Sequence, residues 1–279
     1  MDILAAIHQR ASIRSYADRP VDQAHVERLL DFARGADHLT DTPTRMQLIS
    51  GADRVKDVLT FMIGSYGLVQ NAPYLLVGIL PKESDGARID LGYGLEQVVL
   101  EATRLGLGTC WITGSYDAEK AGDAVELESG EVAAAVCALG HPSEEGYGQF
   151  HTKIIRRLAG GHRRKPLTDI VFSERWGQSW SPEQADPALV SILKHARLAP
   201  SAHNAQPWRF IVEADRITLS VVKPMFIDAG IVMSHITLAT PAANREGEWQ
   251  LRVRDDALAS AYALPEKAIP IATYHVSSR

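Results

Sequence analysis

The sequence predicts an α/β-type protein assembled from two related halves, and three observations lead there. Apolar residues recur at helical spacing in some segments and run unbroken for strand length in others. The composition is that of a soluble globular chain, with 46% hydrophobic and 23% charged residues over 279 positions, enough for one large domain or two ordinary ones. One long stretch also recurs later in the chain with the same internal spacing.

Taken in order, MDILAAIHQR reads as a short amphipathic N-terminal helix, followed by the extended segment Arg10 to Arg14. Val26, Leu29, Leu30 and Ala33 follow helical spacing after Pro20, which suits a helix entry. YLLVGIL, 74 to 80, has the length and apolarity of a buried strand. Leu91, Leu95, Val98, Val99, Ala102 and Leu105 form a helical stripe that the glycines of LGLG terminate. TCWI and VAAAVCAL are strand-like, and HTKIIRRLAGGHRRKP, 151 to 166, reads as a basic, glycine-interrupted connector. ALVSILKHARLA is a helix pattern leading into PSAHNAQPW, 200 to 208. FIVEADRITLSVV then predicts two strands turning near Glu213 to Asp215, and IVMSHITLATPAA a helix that Pro241 ends or bends.

A net charge of −5 argues against a nucleic-acid polyanion as the main partner. The first residues lack the basic start and apolar run of a signal peptide, and no stretch approaches a membrane span, so a cytoplasmic protein is expected. Cys110 and Cys137 sit in apolar segments and read as buried thiols in a reducing compartment, with no metal site implied.

The repeat sets Asp90 to Trp111 against Asp228 to Trp249, each a separation of 21 positions, with Gly92 matching Gly230 and Leu100 matching Leu238. Upstream, Ala33 and Arg34 match Ala196 and Arg197. The spacing predicts a first half over 1–168 and a shorter second half over 169–279, a pseudo-symmetric dimer in one chain.

Four stretches carry chemistry. Arg10, Ser12 and Arg14 alternate on an extended segment, which points two guanidiniums and a hydroxyl one way and suits a phosphate, or else forms a solvated turn. GLGTCWITG, 106 to 114, is a strand between glycines that permits close approach to a flat ligand, or a plain helix-to-strand junction. HRRKP, 162 to 166, is a cationic cluster or an exposed charge run. PSAHNAQPW packs Ser201, His203, Asn204, Gln206 and Trp208 between apolar flanks, yet His203 has no second ligand at metal spacing and no orienting group for a catalytic triad.

Together, RASIRSY, the DLGYGLEQVVLEATRLGLGTCWITG helix and strand, RRKPL and PSAHNAQPWRF resemble the nitroreductase-like FMN-dependent oxidoreductases, in their single-chain duplicated branch. The resemblance implies an α+β fold with FMN held between two halves and NAD(P)H as transient electron donor. It implies Arg10, Ala11 and Ser12, with Arg163 and Arg164, at the phosphate and ribityl end, and Arg14 at the pyrimidine edge. Trp111, Ile112, Thr113 and Gly114 would back one flavin face. Pro200, Ser201, Asn204 and Gln206 would approach from the other half, to hydrogen-bond the flavin or fix their loop, with Trp208 in the core beneath. The flavin would carry the chemistry, no side chain being catalytic, and a nitroaromatic or quinone would accept the electrons.

The two halves depart from that pattern in opposite ways. Aligning Tyr16 with Trp180 places Glu174, Trp176 and Gln178 where the first half has Arg10, Ser12 and Arg14. Aligning Ala33 with Ala196 places Asp37, His38, Asp41 and Pro43 opposite Pro200, Ser201, Asn204 and Gln206. One composite FMN site per chain is therefore expected, in a monomeric pseudo-dimer that is also compatible with a further homodimer. A flavin-binding protein with little turnover and a specialised flavin and oxygen-dependent enzyme are the alternatives of the same fold.

Overall fold

The computed structural model describes residues 1–41, 44–59, 69–143 and 163–278. The greater part of the predicted connector 151–166, and Pro43, lie outside the described residues. Four strands, β1 (Arg45–Ser50), β2 (Tyr74–Leu80), β3 (Gly108–Ile112) and β4 (Val132–Gly140), form an antiparallel sheet in the order β1-β2-β4-β3. A second sheet has the order β5-β6-β7-β9-β8, from β5 (Val171–Ser173), β6 (Trp208–Val212), β7 (Arg216–Val221), β8 (Arg245–Leu251) and β9 (Ile269–Ser278). Apart from the added parallel strand β5, the two sheets have the same strand order and the same antiparallel pairings.

The helices are α1 (Ile3–Gln9), α2 (Gln23–Arg34), α3 (Ala52–Val58), α4 (Asp85–Arg104), α5 (Ala118–Asp123), α6 (Pro187–Ala196), α7 (Phe226–Ala239) and α8 (Asp256–Ala261). Side-chain oxygens cap most of their first turns: Asp2 for α1, Asp22 for α2, Ser84 for α4, Asp117 for α5, Asp186 for α6 and Asp255 for α8. Pro187 opens α6 at the position where its missing N–H is harmless. α7 ends at Ala239, and Pro241 starts a single 3-10 turn.

α4 and α7 form the most extensive packing between elements, and both sheets contribute side chains to the core around them. Their closeness rests on the two glycines matched in sequence. A Cβ on Gly92 would sit 2.1 Å from the carbonyl oxygen of Ile227, and one on Gly230 would sit 1.9 Å from that of Ile89. Each backbone thus fills the notch left by the other's missing side chain. The same offset of 138 (228 − 90) relates Ile89 to Ile227, Gly92 to Gly230, Trp111 to Trp249 and α5 to α8. By length and composition Phe226–Ala243 could cross a membrane, but 72% of it is buried inside this protein, as in a core helix.

A second apolar cluster fills the far face of the first sheet, where Val55 and Val58 of α3 and Ala121 of α5 meet Leu75, Val77 and Val136. Cys110 and Cys137 are free and buried on adjacent strands, and burial raises both thiols above their ordinary range.

Candidate functional site

Residues 12 and 13 lie along the outer edge of β3, and residues 14–16 then pair with Gln70 and Pro142. Ser12 bridges Thr109 in parallel, the Ile13 N–H donates to the Thr109 carbonyl at 2.8 Å, and Tyr16 Oη donates to the carbonyls of Ile13 and Ala138. Gly108 admits the Ile13 side chain, which would lie 2.8 Å from a Cβ there. This pairing sets Ser12 on the strand edge, while the Arg14 carbonyl accepts from the Gln70 N–H. The guanidiniums of Arg14 and Arg10 both act on the Cys110 thiol, opposing the dominant effect of its burial, so both charges lie at the head of β3. Arg14 and Ser12 make no side-chain hydrogen bond or ion pair with any described residue.

Next along the chain, Trp111 is half-buried with its Nε1 donating to Glu96 Oε2 at 2.7 Å, Ile112 is buried, and Thr113 and Gly114 reach the surface. No described residue lies within 4 Å of where a Cβ of Gly114 would stand. A guanidinium and a hydroxyl without partners among the described residues thus stand near this strand end.

The second limb is the 200–206 segment, and its backbone is under strain. His203, Asn204 and Gln206 all have φ near +50°, a region that costs non-glycine residues about 1 kcal/mol or more each. Local bonds hold it there: the Gln206 N–H donates to Ser201 Oγ at 3.0 Å, the Asn204 N–H to the Ser201 carbonyl at 2.9 Å, and the Ala202 N–H to Asp228 Oδ2 at 3.1 Å. Trp208 is fully buried beneath.

The structure joins this limb to the basic segment 163–165. Asn204 Nδ2 donates to the Arg163 carbonyl at 2.8 Å, and Arg164 donates to Asn204 Oδ1 and to the Leu198 carbonyl. Gln206 Oε1 accepts the Lys165 N–H at 2.8 Å, while its Nε2 donates to the Arg163 and Asn204 carbonyls. The Gln206 side chain is buried, and its amide oxygen and nitrogen both tie the loop to segment 163–165. Leu198, just before the motif, packs with Ala6, Ile7 and Leu100, so α1 and the 200–206 limb meet at one cluster next to Arg10. Among the described residues, Ser12, Arg14 and Thr113 form no hydrogen bond to 200–206.

Residues missed by sequence reasoning frame the second limb. Lys165 Nζ donates to the Ala205 and Gln206 carbonyls, and Arg209 shares the Gln206 carbonyl. Burial first, then the neighbouring Arg209 and Lys223, lower the Lys165 ammonium below its ordinary range. Asp228 is buried at the start of α7 with the Ala202 N–H as its hydrogen-bond donor, and burial pushes its carboxyl up to about 7. The signal for Asp228 was present in the sequence, since it is the repeat partner of Asp90. In the first half, Asp90 accepts from the Leu39 N–H, the Thr44 N–H and Oγ1, and meets the His38 ring at 3.0 Å.

The α+β scaffold is that of a nitroreductase-like protein. The chain belongs to the family described as "Putative TM nitroreductase", whose model matches residues 2–240. A "putative nitroreductase" of Thermotoga maritima has the same fold, with a TM-score of 0.63 at 19% identity over 99% of this chain and 93% of that one. A "Putative NADH dehydrogenase/NAD(P)H nitroreductase" of Methanothermobacter thermautotrophicus is 27% identical over 154 residues, 52% of this chain and 79% of that protein. A protein of the same description from Archaeoglobus fulgidus is 41% identical over 58 residues, 20% of this chain and 33% of its own.

Proposed function

We propose that the protein binds one FMN per chain and acts as an NAD(P)H oxidoreductase toward small organic acceptors such as nitroaromatics or quinones. The observation that carries this reading is that Ser12, on the edge of β3, and Arg14 have no side-chain partner among the described residues, near the strand end at Gly114. Bound FMN supplies a reversible two-electron centre, and the residues described here bind and orient it. Arg10, the backbone at Ala11, and Ser12 take the phosphate and ribityl end, with Arg163 and Arg164 closing over it. Arg14 faces the pyrimidine edge, where a fixed cation favours the more negative, reduced state. Trp111 to Gly114 back one face. Pro200, Ser201, Asn204 and Gln206 form the second limb, with Asn204 and Gln206 acting by holding segment 163–165 in place.

We further infer that residues 1–168 and 169–279 are two copies of one unit. The matching strand orders, the shared offset of 138 and the reciprocal glycine contacts of α4 and α7 support this. At the offset of 138 the counterpart of β3 is β8, whereas the chain around Glu174 lies against Val212 of β6, so the expected match of Glu174, Trp176 and Gln178 to the Arg10, Ser12 and Arg14 edge does not hold. The Trp176 ring lies tilted against Phe172 at 4.8 Å.

The test is the visible spectrum of purified protein reconstituted with FMN, followed by anaerobic addition of NADH or NADPH. A yellow protein with about one flavin per chain that bleaches, then recolours on adding a nitrofuran or quinone, is expected. A protein that takes up no FMN overturns the reading, a ratio near two overturns the single site, and a yellow protein that never bleaches is a flavin binder with little turnover.

A further inference from the structure

Behind Trp111 runs a chain of buried polar groups that the cofactor roles above leave unused. Trp111 Nε1 donates to Glu96 Oε2 at 2.7 Å, and Glu96 Oε1 lies 2.9 Å from His235 Nε2. His235 Nδ1 lies 3.2 Å from the carbonyl oxygen of His195. The side chains of Glu96 and His235 have no exposed surface. Glu96 belongs to α4, His235 to α7 and His195 to the last turn of α6, which leads through Leu198 into the 200–206 limb.

Donor and acceptor chemistry sets the proton count. A carbonyl oxygen only accepts, so His235 Nδ1 carries hydrogen. An indole nitrogen only donates, so Glu96 Oε2 is an acceptor. The remaining contact, Oε1 to Nε2, therefore holds a single shared proton, and the pair is neutral as a whole. A lone carboxylate or imidazolium at this depth would be strongly disfavoured, and sharing the proton avoids both.

The arrangement is one-sided. At the offset of 138, Glu96 corresponds to Ser234, whose buried Oγ has no hydrogen-bond partner among the described residues, and Trp249 donates instead to Thr237 Oγ1. The carboxylate thus stands only behind the tryptophan of β3. We propose that Glu96 and His235 are positioning residues for the flavin site: through Trp111 on one side and the His195 carbonyl on the other, they fix the flavin-backing strand relative to the 200–206 limb. This rests on the FMN reading above.

A double-mutant cycle on FMN affinity tests it, read by flavin fluorescence well below the unfolding temperature. Glu96→Ala and Trp111→Phe are each expected to weaken FMN binding roughly tenfold, the loss of one buried charge-assisted hydrogen bond. The double variant should bind no more weakly than the worse single one, because Glu96 acts through Trp111. Additive losses, as from a merely structural role, or wild-type affinity in folded Glu96→Ala, overturn the proposal. Where Glu96→Ala does not fold, the cycle runs with Glu96→Gln, whose amide oxygen still accepts from the indole. Trp111→Phe must keep its tenfold cost in that background, and a Trp111→Phe change without effect overturns the proposal. Nitrogen-15 spectra of the cofactor-free protein give a separate reading: His235 Nδ1 is expected protonated, and an unprotonated Nδ1 overturns the chain. Should the wild type take up no FMN, the flavin reading fails while these spectra still decide the chain.

Discussion

The segments pinned by Asp90 and Asp228, which lie 138 positions apart in the sequence, behave as opposites. Asp90 receives Leu39, Thr44 and the His38 ring, and its segment has no positive φ among the described residues 37–41 and 44. Asp228 receives one backbone N–H and anchors a segment with three left-handed, non-glycine residues. Saturated hydrogen bonding goes with a relaxed chain, and an under-satisfied carboxylate goes with a strained one. Strain of this kind persists where the surroundings over-determine a segment, and such places concentrate at binding sites.

The largest effect bearing on this contrast is expected at the crossing both segments share. Gly92→Ala and Gly230→Ala, which in an open helix would each gain up to about 1 kcal/mol, should each cost upwards of about 3 kcal/mol, because the added carbon meets backbone. Denaturant titration of both variants checks this, and a mild effect at either glycine breaks the reciprocity of the two helices.

The two aspartates should then respond with opposite signs. Asp90→Asn turns an acceptor toward donors and should cost about 2 to 3 kcal/mol. Asp228→Asn should stabilise by about 2 to 4 kcal/mol at pH 8. Its folded-state value near 7 lies above the unfolded value of an ordinary carboxyl, 3.8. The folded state therefore holds more protons, and the wild type loses stability as pH rises from about 4 to 7. Melting temperatures from pH 4 to 8 should show that slope flattened in Asp228→Asn and kept in Asp90→Asn.

The smallest change in stability is expected at Arg14. Because its guanidinium has no partner among the described residues, Arg14→Ala should shift folding by no more than about 0.5 kcal/mol. FMN affinity should nevertheless fall roughly tenfold, the loss of a charge-assisted bond. A large fall in stability would mean that the guanidinium serves the fold.

The helices and inner strands could be read in the sequence because burial imposes periodicity. The stripe of Leu91 to Leu105 became α4, and YLLVGIL became β2. β8 escaped notice because an edge strand needs little apolar character: Glu246, Gly247 and Glu248 are exposed in REGEWQL. β1, RMQLIS, is likewise an edge strand, half-buried at four of its six positions. For the site, residue type marked PSAHNAQPW and RRK separately. That Gln206 spends its amide on the backbone of 163–165 follows from long-range geometry, which local spacing does not carry. Glu96 and His235 were hidden because each interrupts an apolar stripe singly, and their meaning lies in a pairing across two helices.

The glycine crossing of α4 and α7 has a consequence for dilution. Both helices belong to one polypeptide, so each meets the other at a local concentration set by the connecting chain, whatever the protein concentration in solution. Mass action, which separates the subunits of a two-chain assembly as it is diluted, has no purchase on this interface. A pocket built across it would stay assembled at nanomolar protein as it does at micromolar.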